Sequence, residues 1–128
     1  MRALLLLFAL GALATSAQAQ AQSLQLVGYA GVLGEWELTA TVTERARLWS
    51  KEFFGPLSMK HVGICTQDGP EEKTGEIRFR ISALSSRLDA TLLVEGVACS
   101  YSAGPSDPYS GMMACPDREA VPLKLWLK

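Results

Sequence analysis

Three cysteines and one histidine are the side chains of this 128-residue sequence best suited to covalent or proton-transfer chemistry: Cys65, Cys99, Cys115 and His61. A thiolate beside an imidazole makes a nucleophile and its base, and His61 and Cys65 stand four positions apart. On a strand that spacing separates their Cβ atoms by roughly 13 Å at about 3.3 Å per residue, too far to share a hydrogen bond. One histidine excludes a two-histidine metal site, and the cysteines show no zinc-ligand spacing. The carboxylates are scattered, with no spacing that sets two around one substrate atom, and neither G-x-S-x-G nor a glycine-rich phosphate loop is present. A noncatalytic protein with no metal and no cofactor is expected.

The cysteines then read as structural. In an oxidising compartment three thiols give one disulfide and one remaining thiol. Cys99 and Cys115 are expected to pair, because a hairpin folding about Asp107 sets them opposite each other on flanking strands. Cys65 would be the unpaired thiol; a bond from Cys65 to either of the others is the competing arrangement.

The compartment follows from the first 21 residues. Arg2 is a minimal positive start, residues 3–14 are an apolar run too short for the roughly 20 residues that span a bilayer, and two A-x-A sites overlap at Ala17, Ala19 and Ala21. This is the pattern of a cleaved secretory signal, leaving residues 22–128 as a single domain in the periplasm or outside the cell. No later apolar stretch is long enough to span a membrane as a helix, so no membrane insertion is expected. The formal net charge is −1, with basic and acidic residues interspersed. That balance argues against nucleic-acid binding, which needs a concentrated basic face.

The elements that must position these residues are strands. Apolar side chains alternate with polar ones at Trp36, Leu38, Ala40 and Val42, again at Ile77, Phe79 and Ile81, then at Leu88, Ala90, Leu92 and Val94, and last at Val121, Leu123, Leu125 and Leu127. Residues 57–65 read as a further strand whose phase slips at a bulge near Lys60 and His61. Residues 97–101 and 109–115 read as two more. In 44–54, Ala46, Trp49 and Phe53 take helical spacing behind a Thr43 cap, predicting a short helix across one end of the sheet. The fold class is all-β, an antiparallel meander of seven to eight strands forming a small barrel or sandwich, with one short helix.

Two resemblances bear on function. Gly34-Glu35-Trp36, at the start of the first alternating strand, resembles the G-x-W opening of the calycin barrels, the lipocalins and avidins. That resemblance implies a barrel whose floor is closed by Trp36 and whose interior holds a small ligand. The lipocalin arginine that covers the tryptophan has no counterpart in 121–127. Residues 55–65 and 109–116 look like segments of short exported bacterial proteins of uncharacterised families, which implies a compartment and no activity.

Trp126 lies between Leu125 and Leu127 and so faces away from the apolar set, where a large aromatic can anchor a partner. The leading expectation is a noncatalytic exported β-domain that binds a macromolecule, such as an envelope protein or a secreted enzyme that it inhibits, through Trp36, Tyr109 or Trp126. The alternative is a calycin-like barrel binding a small apolar ligand.

Overall fold

The computed structural model describes Gly11 and residues 23–62 and 71–128. Eight strands follow in chain order: β1 (Ser23–Ala30), β2 (Trp36–Ala46), β3 (Ser50–His61), β4 (Glu72–Ser82), β5 (Leu88–Val94), β6 (Val97–Ala103), β7 (Tyr109–Ala114) and β8 (Val121–Leu127). Each pairs antiparallel with the next, and β8 returns to β1, so the sheet closes into an up-and-down barrel.

Period-two alternation decides what lies inside. Leu38, Ala40 and Val42 of β2, Ile77 and Phe79 of β4, Leu88, Ala90 and Leu92 of β5, and Leu123 and Leu125 of β8 are all buried. Their neighbours Glu37, Thr41, Arg78, Arg80, Asp89 and Thr91 lie on the outer wall, Glu37 half-buried and the others exposed. An apolar interior inside a wall that is polar on most strands reverses the arrangement of a transmembrane barrel, which turns apolar side chains to lipid and polar ones to its lumen. Among the described residues no helix is long and apolar enough to cross a membrane.

The structure corrects the reading of 44–54. No helix forms there: β2 continues to Ala46, a turn follows, and β3 begins at Ser50. The Arg47 N–H closes that turn by donating to the Ser50 carbonyl at 2.9 Å. Helical spacing of three apolar residues lost to pairing on both sides, since Phe53 lies opposite both Glu44 and Phe79 and stacks on the Phe79 ring at 4.7 Å. Tertiary packing overrides so weak a local preference.

The bulge near Lys60 and His61 does not form either. One register joins β2 to β3 from Trp36↔His61 to Ala46↔Lys51, and another joins β3 to β4 from Ser50↔Ser82 to Lys60↔Glu72. β3 ends at His61, so Val62 has no strand phase to keep; Ile64 and Cys65 lie outside the described residues.

One interior position shows how tightly the barrel is built. Gly75 lies where a Cβ would run into the Leu93 carbonyl of β5, so only a hydrogen fits between the strands. Gly75→Ala is expected to cost about 2 kcal/mol or more through overpacking. Gly104→Ala, with nothing within 4 Å of the added carbon, should lose no stability; urea midpoints of the two variants check both.

Tyr101 is the one phenol buried in the core, and its hydroxyl donates to the Leu123 carbonyl at 2.9 Å. Burial pushes its pKa from 10.0 up to about 12. The unfolded chain therefore loses this proton first. The stabilisation is complete below pH 10 and is lost as pH rises toward 12. Absorbance titration of the phenolates should show one tyrosine ionising late, and Tyr101→Phe should remove that step.

Candidate functional site: the barrel mouth

The ends of β1, β3, β5 and β7 and the starts of β2, β4, β6 and β8 meet at one rim. Inside it lies a cavity of ≈ 460 Å³. Its apolar wall includes Met59, Val94, Val97, Met113 and Val121 together with the Cys99–Cys115 pair, while Glu35, Lys73, Glu95, Arg118 and Glu119 supply charge. At the opposite end the interior is filled by Phe53, Phe79 and Leu88, so the cavity occupies one end of the barrel and does not run through it.

The disulfide forms between the cysteines whose spacing pointed to it. Cys99 and Cys115 are bonded with their Cα atoms 4.3 Å apart. They sit one step beyond the Ser100↔Ala114 pair of the β6–β7 ladder, where two inward side chains face each other. The bond fits an oxidising compartment.

Trp36 is brought into this site by the turn before it. Gly34 takes a φ of +66°, a conformation open to glycine at no steric cost, and its N–H donates to the Gly31 carbonyl at 3.2 Å. The Glu35 carboxylate accepts the Leu33 N–H at 3.0 Å, which holds the turn and starts β2 with the indole directed into the mouth. Two side chains approach the indole. The His61 ring centroid is 4.6 Å away, and the Lys73 Nζ stands 4.9 Å above the ring, within cation–π range.

The other aromatic candidates do not converge on this site. Trp126 lies on the outer wall, its ring edge-on to Tyr29 at 5.8 Å. Tyr109 begins β7 at the far end of the barrel and packs against the core. Cys65 lies outside the described residues. Among the described residues no three His, Cys, Asp or Glu side chains come together as a metal cluster.

Lys73 is the site residue that sequence patterning passed over. Its signal was phase: it occupies the inward position of β4 four residues before Ile77 and opposite Met59, so a charge sits in an apolar series. Nothing comparable marks Val94, Val97 and Val121, which are ordinary strand residues placed at a rim by closure.

No family model, curated protein or solved structure matches this chain.

The disulfide braces one wall of the mouth. Replacing both Cys99 and Cys115 by serine is expected to lower unfolding stability by about 3 kcal/mol, the loop-closure value for a bridge of this span. Guanidinium unfolding of the oxidised protein and the variant measures the difference.

Proposed function

We propose that this chain is a noncatalytic binding protein, acting in the periplasm or outside the cell, whose barrel mouth takes a small ligand with an apolar body. The observation that carries the reading is the cavity of ≈ 460 Å³, a volume within the roughly 300–1,000 Å³ range of small-molecule sites. Its apolar wall suits such a body, and its few polar groups suit orientation of one end. Met59 and Met113 add unbranched, polarizable side chains that adapt to ligand shape. The resemblance of Gly34-Glu35-Trp36 to a calycin opening implies an interior ligand and supports this reading, but it also implies a floor closed by Trp36, whereas here Trp36 lines the open mouth and the opposite end is packed.

A second reading, binding of a protein partner, is favoured by the opposite end. Leu48 and Trp49 of the β2–β3 turn are 86% and 67% exposed, and Leu84 of the β4–β5 turn is 85% exposed. The Ala83 N–H donates to the Trp49 carbonyl at 2.9 Å, which fixes the two tips side by side. Large apolar side chains held together in solvent are a common basis for protein contacts.

Native mass spectrometry of the protein secreted from an oxidising compartment separates the two. Bound small-molecule mass that leaves on denaturation is expected, and Val121→Trp, which fills the mouth from β8, should abolish it. A bare monomer mass would count against the ligand reading and turn attention to the Leu48, Trp49 and Leu84 tips.

A further inference from the structure

The mouth holds charges of both signs, but they are not equally engaged. Glu35 accepts the Leu33 N–H, and Glu95 accepts the Thr74 N–H at 3.1 Å, so both carboxylates hold turns together. Lys60, next to the site, is paired with Glu72 at 3.4 Å. Lys73 and Arg118 have no carboxylate within 4.0 Å among the described residues.

Lys73 is the more informative of these two cations. It projects from the inward face of β4 opposite Met59, and its ammonium is held over the Trp36 ring. A lysine at an inward strand position forgoes part of its hydration, which a cation–π contact recovers only in part. Its remaining donors are available to an anion in the cavity. Around an eight-strand barrel β4 lies four strands from β8, so the wall facing Lys73 is that of Val121, flanked by Met113 of β7. Beyond it Arg118 and Glu119, of opposite charge but not ion-paired with each other, are adjacent in the connection before β8. The mouth therefore presents on one side an ammonium unpaired among the described residues, with the Glu35 and Glu95 carboxylates turned to backbone N–H groups, and on the other an apolar wall.

We propose that the mouth selects ligands carrying one anionic group, a carboxylate or sulfonate, on an apolar body, with the Lys73 ammonium as the counter-charge. This inference rests on the ligand-binding reading above and specifies its chemistry. The anion sits beside Lys73 and Trp36, and the apolar body lies toward Met113 and Val121.

Two fluorescent probes that share an aromatic body test it: anilinonaphthalene sulfonate, which is anionic, and N-phenyl-1-naphthylamine, which is neutral. The full-length secreted protein is expected to bind the sulfonate about tenfold more tightly, the gain of one charge-assisted hydrogen bond in a partly dry site. Lys73→Gln should remove the preference, bringing the sulfonate and the neutral probe to equal affinity. Lys73→Arg should keep the preference, as should Lys124→Gln on the outer wall. Equal binding of both probes by the unaltered protein would overturn anion selection while leaving the ligand-binding reading intact. Binding of neither would overturn both. A preference lost as fully in Lys124→Gln as in Lys73→Gln would place the sulfonate on the surface and overturn the assignment.

Discussion

Closure of β8 onto β1 is the constraint from which the other features follow. Leu26↔Leu127 and Ala30↔Leu123 bound the seam, and the paired backbone bonds between Gln25 and Lys128 extend it past the end of β8. An open eight-strand meander would expose two unpaired edges; closing it removes both. Closure also fixes the size of the interior, which for eight strands is just wide enough for side chains to fill or for one small ligand. Gly28 lies where a Cβ would collide with Leu125 and the Lys124 backbone, so the seam depends on the absence of a side chain there.

Given that fixed interior, the residues at each level decide whether space is filled or left. At the far end two phenylalanines stack and Leu88 is fully buried. At the mouth the inward positions carry smaller or flexible groups: Ala30, Val94, Val97 and the disulfide. The one bulky residue there, Trp36, is only half-buried and is approached by the His61 ring and the Lys73 ammonium. The gradient from packed to open along one axis is a property of side-chain size, since the backbone pairing is continuous from end to end.

Much of this architecture was legible in the order of residues. The strands whose outer faces are polar, such as β4 with Glu76, Arg78 and Arg80, declare themselves because period two is visible on both faces. β1 was hidden because Val27 and Tyr29 make its outer face apolar as well, and alternation disappears. β3 was misread for a related reason. Its inward series contains Gly55, which has no side chain to mark the phase, and its outward series contains Phe54, so the alternation breaks where the helix was expected. The Cys99–Cys115 pair was readable because hairpin symmetry about a turn needs only counting. The cavity was not, because it depends on strands distant in sequence ending at one rim, and on which of their terminal residues are small. Lys73 was half legible, since its phase is recorded in the sequence while its neighbours Trp36 and Met59 come from other strands.

The rim is held by fixed contacts between neighbouring connections. The Gly31 N–H donates to the Pro122 carbonyl at 2.9 Å, tying the β1–β2 turn to β8, and the Val62 N–H donates to the Glu35 carbonyl at 2.8 Å, tying the end of β3 to the start of β2. Reciprocal bonds between Thr74 and Glu95 join β4 to the β5–β6 turn, with the Glu95 N–H donating to the Thr74 carbonyl at 3.1 Å. The disulfide joins β6 to the end of β7. These ties span most of the circumference, and they order the wall before any ligand arrives. A site so preorganised spends little of its contact energy on ordering side chains and loops. It also has little freedom to close around an occupant. On the proposed ligand-binding reading, selectivity at this mouth comes from what already projects into it, which makes the placement of one ammonium over one indole matter more than the size of the opening.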